Sequence, residues 1–140
     1  MKKLLTEWRK FLKEAQEISI DVDGATIDGV IHNNADRLMN WANKEGVSEE
    51  VIQNLELPVA IMKNAFVPEE NRGQGVGNQL VEDFMSEADY EGAKSIILIA
   101  DLGQSQAEGF SLVDWYNKGY GFEVVGETGG YPVMVKVMEQ

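Results

Sequence analysis

Apolar and polar positions change period several times along this chain, and each change marks an element. From Lys2 to Gln16, Leu5, Trp8, Leu12 and Ala15 recur at three- and four-residue spacing, with Leu4 and Phe11 beside them and Lys, Arg and Glu on the other side. That spacing predicts an amphipathic helix. The period then drops to two in ISIDVDGATIDGVI, where Ile18, Ile20 and Val22 alternate with polar residues ahead of Asp23-Gly24. A β-hairpin closed by a two-residue turn is expected. Asn34 caps a predicted helix with Leu38, Met39, Trp41 and Ala42 on its apolar side, ending near Gly46. Ser48 caps another through Val51, Ile52 and Leu55, and Pro58 stops the helical pattern.

The second half is more regular. An apolar run from Val59 to Val67 leads into NRGQGVG, after which Leu80, Val81, Phe84, Met85 and Ala88 recur at helical spacing. Ser95 to Ala100 is too short and too continuously apolar for an amphipathic helix, so it reads as a buried strand. Strand, helix and strand in this order make a βαβ crossover whose strands are parallel neighbours. Asp101 to Gly109 is a predicted loop, Phe110 to Lys118 a helix, and Phe122 to Val125 and Val133 to Val137 are strands. Gly126 to Pro132, with Gly129-Gly130, turns between them.

Composition narrows the chemistry. With 140 residues the chain suits a single domain with one core. The absence of cysteine removes disulfides, thiolate metal sites and a cysteine nucleophile together. The apolar start Met-Lys-Lys-Leu-Leu is broken by Thr6 and Glu7, short of a signal peptide, and no stretch approaches a membrane span. A cytoplasmic protein is expected. A formal charge of −12 disfavours nucleic acid and anionic membranes and favours cationic small molecules or lysine-bearing polypeptides. The single histidine, His32, leaves no histidine-based metal cluster and no Ser-His-Asp arrangement, and reads as the end of the hairpin.

Three glycines in five positions, Gly73, Gly75 and Gly77, point to a positive φ or to a backbone that something approaches closely. No Lys-Ser/Thr pair follows Gly77, as a Walker loop requires, and the spacing GxGxG is not the dinucleotide fingerprint GxGxxG. What remains is an R-x-x-G-x-G loop between strand and helix, suited to a pyrophosphate held by backbone N–H groups and the helix dipole. Otherwise the glycines form a turn that only packs a helix close to a strand.

The stretch FVPEENRGQGVGNQLVEDF resembles the central motif of the GNAT family of N-acetyltransferases, an [RQ]-x-x-G-x-[GA] loop between strand and helix. LVDWYNK followed by Gly121-Phe122 resembles the family's helix-to-strand element, a tyrosine followed shortly by Gly-Phe. The likeness extends from about Leu57 to the end, and implies one acetyltransferase-like domain with a variable acceptor-side half over 1–56 and a coenzyme A-binding half over 57–140. The tyrosine-to-Gly-Phe spacing is one residue longer than the common pattern, with Gly119-Tyr120 as the insertion. Gly109 stands about where the family often has an asparagine, and predicted helices replace two early strands.

The resemblance implies an α/β (α+β) fold: a mixed, mostly antiparallel sheet flanked by helices, with one parallel strand pair splayed at a coenzyme A cleft. The loop amides of Arg72, Gly73, Gln74, Gly75, Val76, Gly77 and Asn78 would bind the pyrophosphate, and the backbone of Phe66 and Val67 the pantetheine. Tyr116 would donate a hydrogen bond to the departing thiolate, because full proton transfer from a phenol near pKa 10 to a thiol near 8.5 is uphill by about 2 kcal/mol. Otherwise it is an ordinary packed tyrosine. An amine near pKa 10.4 needs roughly 4.6 kcal/mol to deprotonate at pH 7, and Asp101 is the nearest carboxylate to assist, if it does not merely cap its loop. The implied reaction moves an acetyl group from acetyl-CoA, without metal, to a small cationic amine, a protein lysine or a protein N-terminus. A homodimer stays open. Two other readings stand beside it: a non-catalytic acyl-CoA-binding regulatory module, and an acidic domain that binds basic proteins.

Overall fold

The computed structural model describes residues 15–66, 75–100 and 111–138. The predicted helix over Lys2–Gln16 therefore lies mostly outside the described residues, but its last two positions do not. Ala15 and Gln16 open strand β1 (Ala15–Val22), where they pair with His32 and Ile31 of β2 (Ala25–His32). Cross-strand pairing overrides helical spacing there. The hairpin turns at Asp23-Gly24, whose φ angles of 51° and 85° are those a tight type I′ connection demands.

Helix α1 (Ala35–Glu45) starts where the side chain of Asn34 accepts hydrogen bonds from the backbone of Asp36 and Arg37, and ends on left-handed Gly46. Helix α2 (Glu49–Gln53) is capped by Ser48 and stops short of the predicted Leu55. Strand β3 (Val59–Phe66), helix α3 (Val76–Tyr90) and strand β4 (Ser95–Ile99) form the predicted crossover, with β3 and β4 parallel. Helix α4 (Leu112–Tyr120), β5 (Glu123–Thr128) and β6 (Tyr131–Val137) complete the described elements.

The strands make one sheet in the order β1-β2-β3-β4-β6-β5, antiparallel except between β3 and β4. This is the expected mixed, mostly antiparallel sheet. Two strands outrun their expected lengths: β5 continues to Thr128, paired with Tyr131, and Pro132 pairs with Glu127 inside β6. Gly126 and Pro132 look like turn residues in sequence. In the sheet, Gly126 lies beside a bulge and the turn shrinks to Gly129-Gly130.

Helices cover both faces. Ala60, Met62, Ile96 and Leu98 face α3 and α4 with Leu80, Phe84, Tyr116 and Phe122, while Val59, Ile61 and Ile97 face α1 and α2 with Leu38, Ala42 and Ile52. Double-sided burial explains why β3 and β4 read as continuous apolar runs rather than alternating ones. Gly29 on β2 seats α3 on the sheet: a Cβ there would meet Ile61 O and lie 2.5 Å from Phe84 Cε2.

Candidate active site

Strand β3 pairs with β4 from Val59↔Ser95 to Met62↔Leu98 and no further. It then runs on to Phe66 beside β2, through Asp28↔Lys63 and Thr26↔Phe66. Strand β4 instead stays with β6: Ile99 pairs with Val133, and Ala100 N donates to Pro132 O at 2.8 Å. The two parallel strands thus part company beyond Met62 and Leu98, each following its outer neighbour. Along the last part of β3, backbone groups on the β4 side have no ladder partner among the described residues, a hydrogen-bonding edge inside a sheet. Phe66 lies on it. Val67 follows it and is outside the described residues.

Of the glycine loop, Arg72, Gly73 and Gln74 lie outside the described residues, as does Asp101. Gly75 is the N-cap of α3, with φ of 79° and nothing among the described residues within 4 Å of where its Cβ would be. Positive φ is the requirement glycine meets here. Val76, Gly77 and Asn78 form the first turn, with Gln79 N donating to Gly75 O at 3.1 Å.

This helix start differs from those of the other three described helices. Helices α1, α2 and α4 each begin under a capping side chain, Asn34, Ser48 and Ser111, with an acidic residue in the first turn. Helix α3 has no side-chain cap and no first-turn acid. Among the described residues, its N–H groups and positive dipole end have no capping side chain and no first-turn acid, in a chain of net charge −12. An external anion satisfies such a terminus.

Tyr116 is 7% exposed and sits among the α3 and α4 core residues, edge-on to Trp115 at 5.0 Å and to Phe122 at 5.6 Å. Burial, with a smaller contribution from Tyr120, pushes its phenol up to about 12. Tyr116 is thus held neutral and can donate a hydrogen bond but not readily a proton. The extra residue before Gly121-Phe122 is absorbed by the helix itself: α4 runs through Gly119 and Tyr120 and closes on left-handed Gly121. Gly121 N donates to Asn117 O at 3.0 Å, Phe122 N to Tyr116 O at 3.2 Å, and Asn117 Nδ2 to Phe122 O at 2.8 Å.

Tyr120, an insertion relative to the family's common spacing, reaches the helix that follows the glycine loop. Tyr120 Oη donates to Asn78 Oδ1, joining α4 to the first turn of α3. The only hint in the sequence was its position one helical turn after Tyr116. A separate groove of about 820 Å³ between α2 and the β5–β6 edge, floored by Val133 and Val135, contains none of the predicted site residues. Among the described residues, no helix is long and apolar enough to cross a membrane.

The same fold occurs in solved acetyltransferase structures. An acetyltransferase from Bacillus cereus superposes with a TM-score of 0.57 at 15% identity over 98% of this chain and 88% of its own. A putative acyl-CoA N-acyltransferase from Klebsiella pneumoniae gives 0.53 at 16% identity, over 96% and 85%. A GNAT family acetyltransferase from Elizabethkingia anophelis, solved with acetyl-CoA bound, gives 0.52 at 13% identity, over 99% and 84%. No protein-family model and no curated protein matches the sequence. The chain has the acyl-CoA N-acyltransferase fold.

Proposed function

We propose that this protein is an N-acetyltransferase that moves the acetyl group of acetyl-CoA to a primary amine by direct attack. The parting of β3 and β4 after Met62↔Leu98 carries the reading, since it leaves an unpaired backbone edge on the strand that leads to the uncapped, acid-free start of α3. An elongated ligand with amide groups along its arm and a pyrophosphate at its bend matches those two features in order. The fold shared with acetyltransferase structures supports it, as does the complex of one of them with acetyl-CoA.

In this reading, backbone groups of Phe66 and Val67 align the pantetheine and polarise the thioester carbonyl. The loop from Arg72 to Asn78 holds the pyrophosphate, with Arg72 adding a permanent cation. The amine nitrogen bonds to the acetyl carbon, the carbon–sulfur bond breaks, and the amine's proton leaves through Asp101 or water. The departing thiolate accepts a hydrogen bond from Tyr116. At a phenol pKa of about 12, outright protonation by Tyr116 would be uphill by about 5 kcal/mol relative to a thiol near 8.5, so the thiolate's proton comes from solvent or is the one the amine nitrogen gives up. The net charge of −12 favours a cationic acceptor, either a small amine or the lysine or N-terminus of a protein.

Release of free thiol from acetyl-CoA across a panel of amines, polyamines and lysine peptides tests the reading. Turnover with at least one amine is expected. A stabilising thermal shift with acetyl-CoA but no turnover with any acceptor would leave a regulatory acyl-CoA-binding module, and no shift would refute both.

A further inference from the structure

Asn78 is the third residue of α3 and Tyr120 the last of α4, 42 positions later, yet the Tyr120 hydroxyl donates to Asn78 Oδ1. A primary amide has one acceptor oxygen and an NH₂ with two donors. With the oxygen engaged, the NH₂ remains, and it has no partner among the described residues. It belongs to the helical turn whose backbone N–H groups lack a cap.

Tyr120 is held in place for this contact. Its ring stands edge-on to Trp115 at 5.3 Å, and its carbonyl accepts from Lys136 Nζ at 2.7 Å. Partial burial, and then the nearby charge of Glu82, raise its pKa, so the phenol keeps the proton it donates. A tyrosine fixed at ring, backbone and hydroxyl restricts the amide more than a freely rotating surface side chain could.

We propose that Tyr120 is a positioning residue of the donor site: by occupying Asn78 Oδ1 it turns the Asn78 NH₂ toward the pyrophosphate and adds side-chain donors to the backbone cradle. The inference rests on the acyl-CoA reading of that helix start. It differs from a simple staple between two helices, in which the hydroxyl matters and the NH₂ does not.

Calorimetric titration of the full chain with coenzyme A, alongside thermal unfolding without ligand, separates the two. Tyr120→Phe is expected to weaken coenzyme A about tenfold, and Asn78→Ala by at least as much. The double variant should be no weaker than Asn78→Ala alone, since both act through one amide. Asn78→Asp is the decisive variant, because a carboxylate still accepts from Tyr120 and suits a helix start, but offers no donor and repels an anion. It should unfold no earlier than the parent while binding coenzyme A more than tenfold more weakly.

Asn78→Asp that binds within twofold of the parent overturns the proposal in favour of the staple. Tyr120→Phe that binds like the parent overturns it as well, as do additive losses in the double variant. If the parent itself does not bind coenzyme A, the acyl-CoA reading falls and takes this one with it.

Discussion

Met62 on β3 faces Leu98 on β4 in the last matched pair of the parallel ladder, and beyond it β3 follows β2 while β4 follows β6. Amide protons show where a ladder ends, because an unpaired N–H exchanges with solvent faster than a paired one. Exchange should be slow at Val59 to Met62. Between Lys63 and Phe66, amides directed away from β2 should exchange faster, and saturating coenzyme A should slow them. Uniform protection from Val59 to Phe66 without ligand would contradict an open edge.

Gly29 and Phe84 make a contact with no room for a methyl group. A Cβ at Gly29 would stand 2.5 Å from Phe84 Cε2 and closer still to the carbonyl of Ile61, which as backbone cannot swing away. Gly29→Ala should destabilise the fold by about 2–3 kcal/mol, read as a lowered urea midpoint with unchanged slope. Adding Phe84→Leu should recover part of the loss by removing one of the two clashes.

Gly75 presents the opposite case, no clash among the described residues but a backbone that disfavours any side chain. With φ of 79° and nothing among the described residues within 4 Å, Gly75→Ala should cost about 1–2 kcal/mol of stability from conformation. Coenzyme A should bind more weakly as well, since the methyl group projects beside the uncapped turn. Unfolding and titration of the same variant read the two effects separately.

Tyr116 sets an alkaline limit on stability. Its phenol is raised from 10 to about 12 by burial, so the unfolded chain releases this proton first. The contribution of Tyr116 is fully present below pH 10 and is lost as pH rises toward 12. The loss totals about 2.7 kcal/mol at roughly 1.36 kcal/mol per pKa unit. Tyr116→Phe keeps the ring contacts with Trp115 and Phe122 and should flatten the decline in stability between pH 10 and 12. A parent and variant with parallel alkaline profiles would show that Tyr116 ionises in the folded protein as freely as in water.

Local signals were read well where the physics is local. Asp23-Gly24 made the hairpin turn, Asn34 and Ser48 capped their helices, and the run Ser95 to Ala100 held a buried strand from Ser95 to Ile99. Reading failed where pairing with a distant strand decided the outcome. Ala15 and Gln16 fit the helical spacing but were drawn into β1 by His32 and Ile31, and Gly126 and Pro132 fit a turn but lie in the β5–β6 ladder. Their hydrogen-bond partners are not their sequence neighbours, so periodicity carries no trace of them.

The candidate site divides in the same way. The order of strand, glycine loop, helix and strand is written in residue types, because positive φ at Gly75 and burial of β3 and β4 each restrict which side chains can stand there. Neither the length of the parallel ladder nor its end at Met62↔Leu98 is written so, since Lys63 to Phe66 follow β2 through contacts made only in the folded sheet. Nor could the spacing of Tyr116 and Tyr120 from Gly121 tell which one enters the core and which reaches Asn78. A helical residue adds about 100° of rotation, so the one extra residue in α4 became a choice of face that the packing of α4 against α3 resolved.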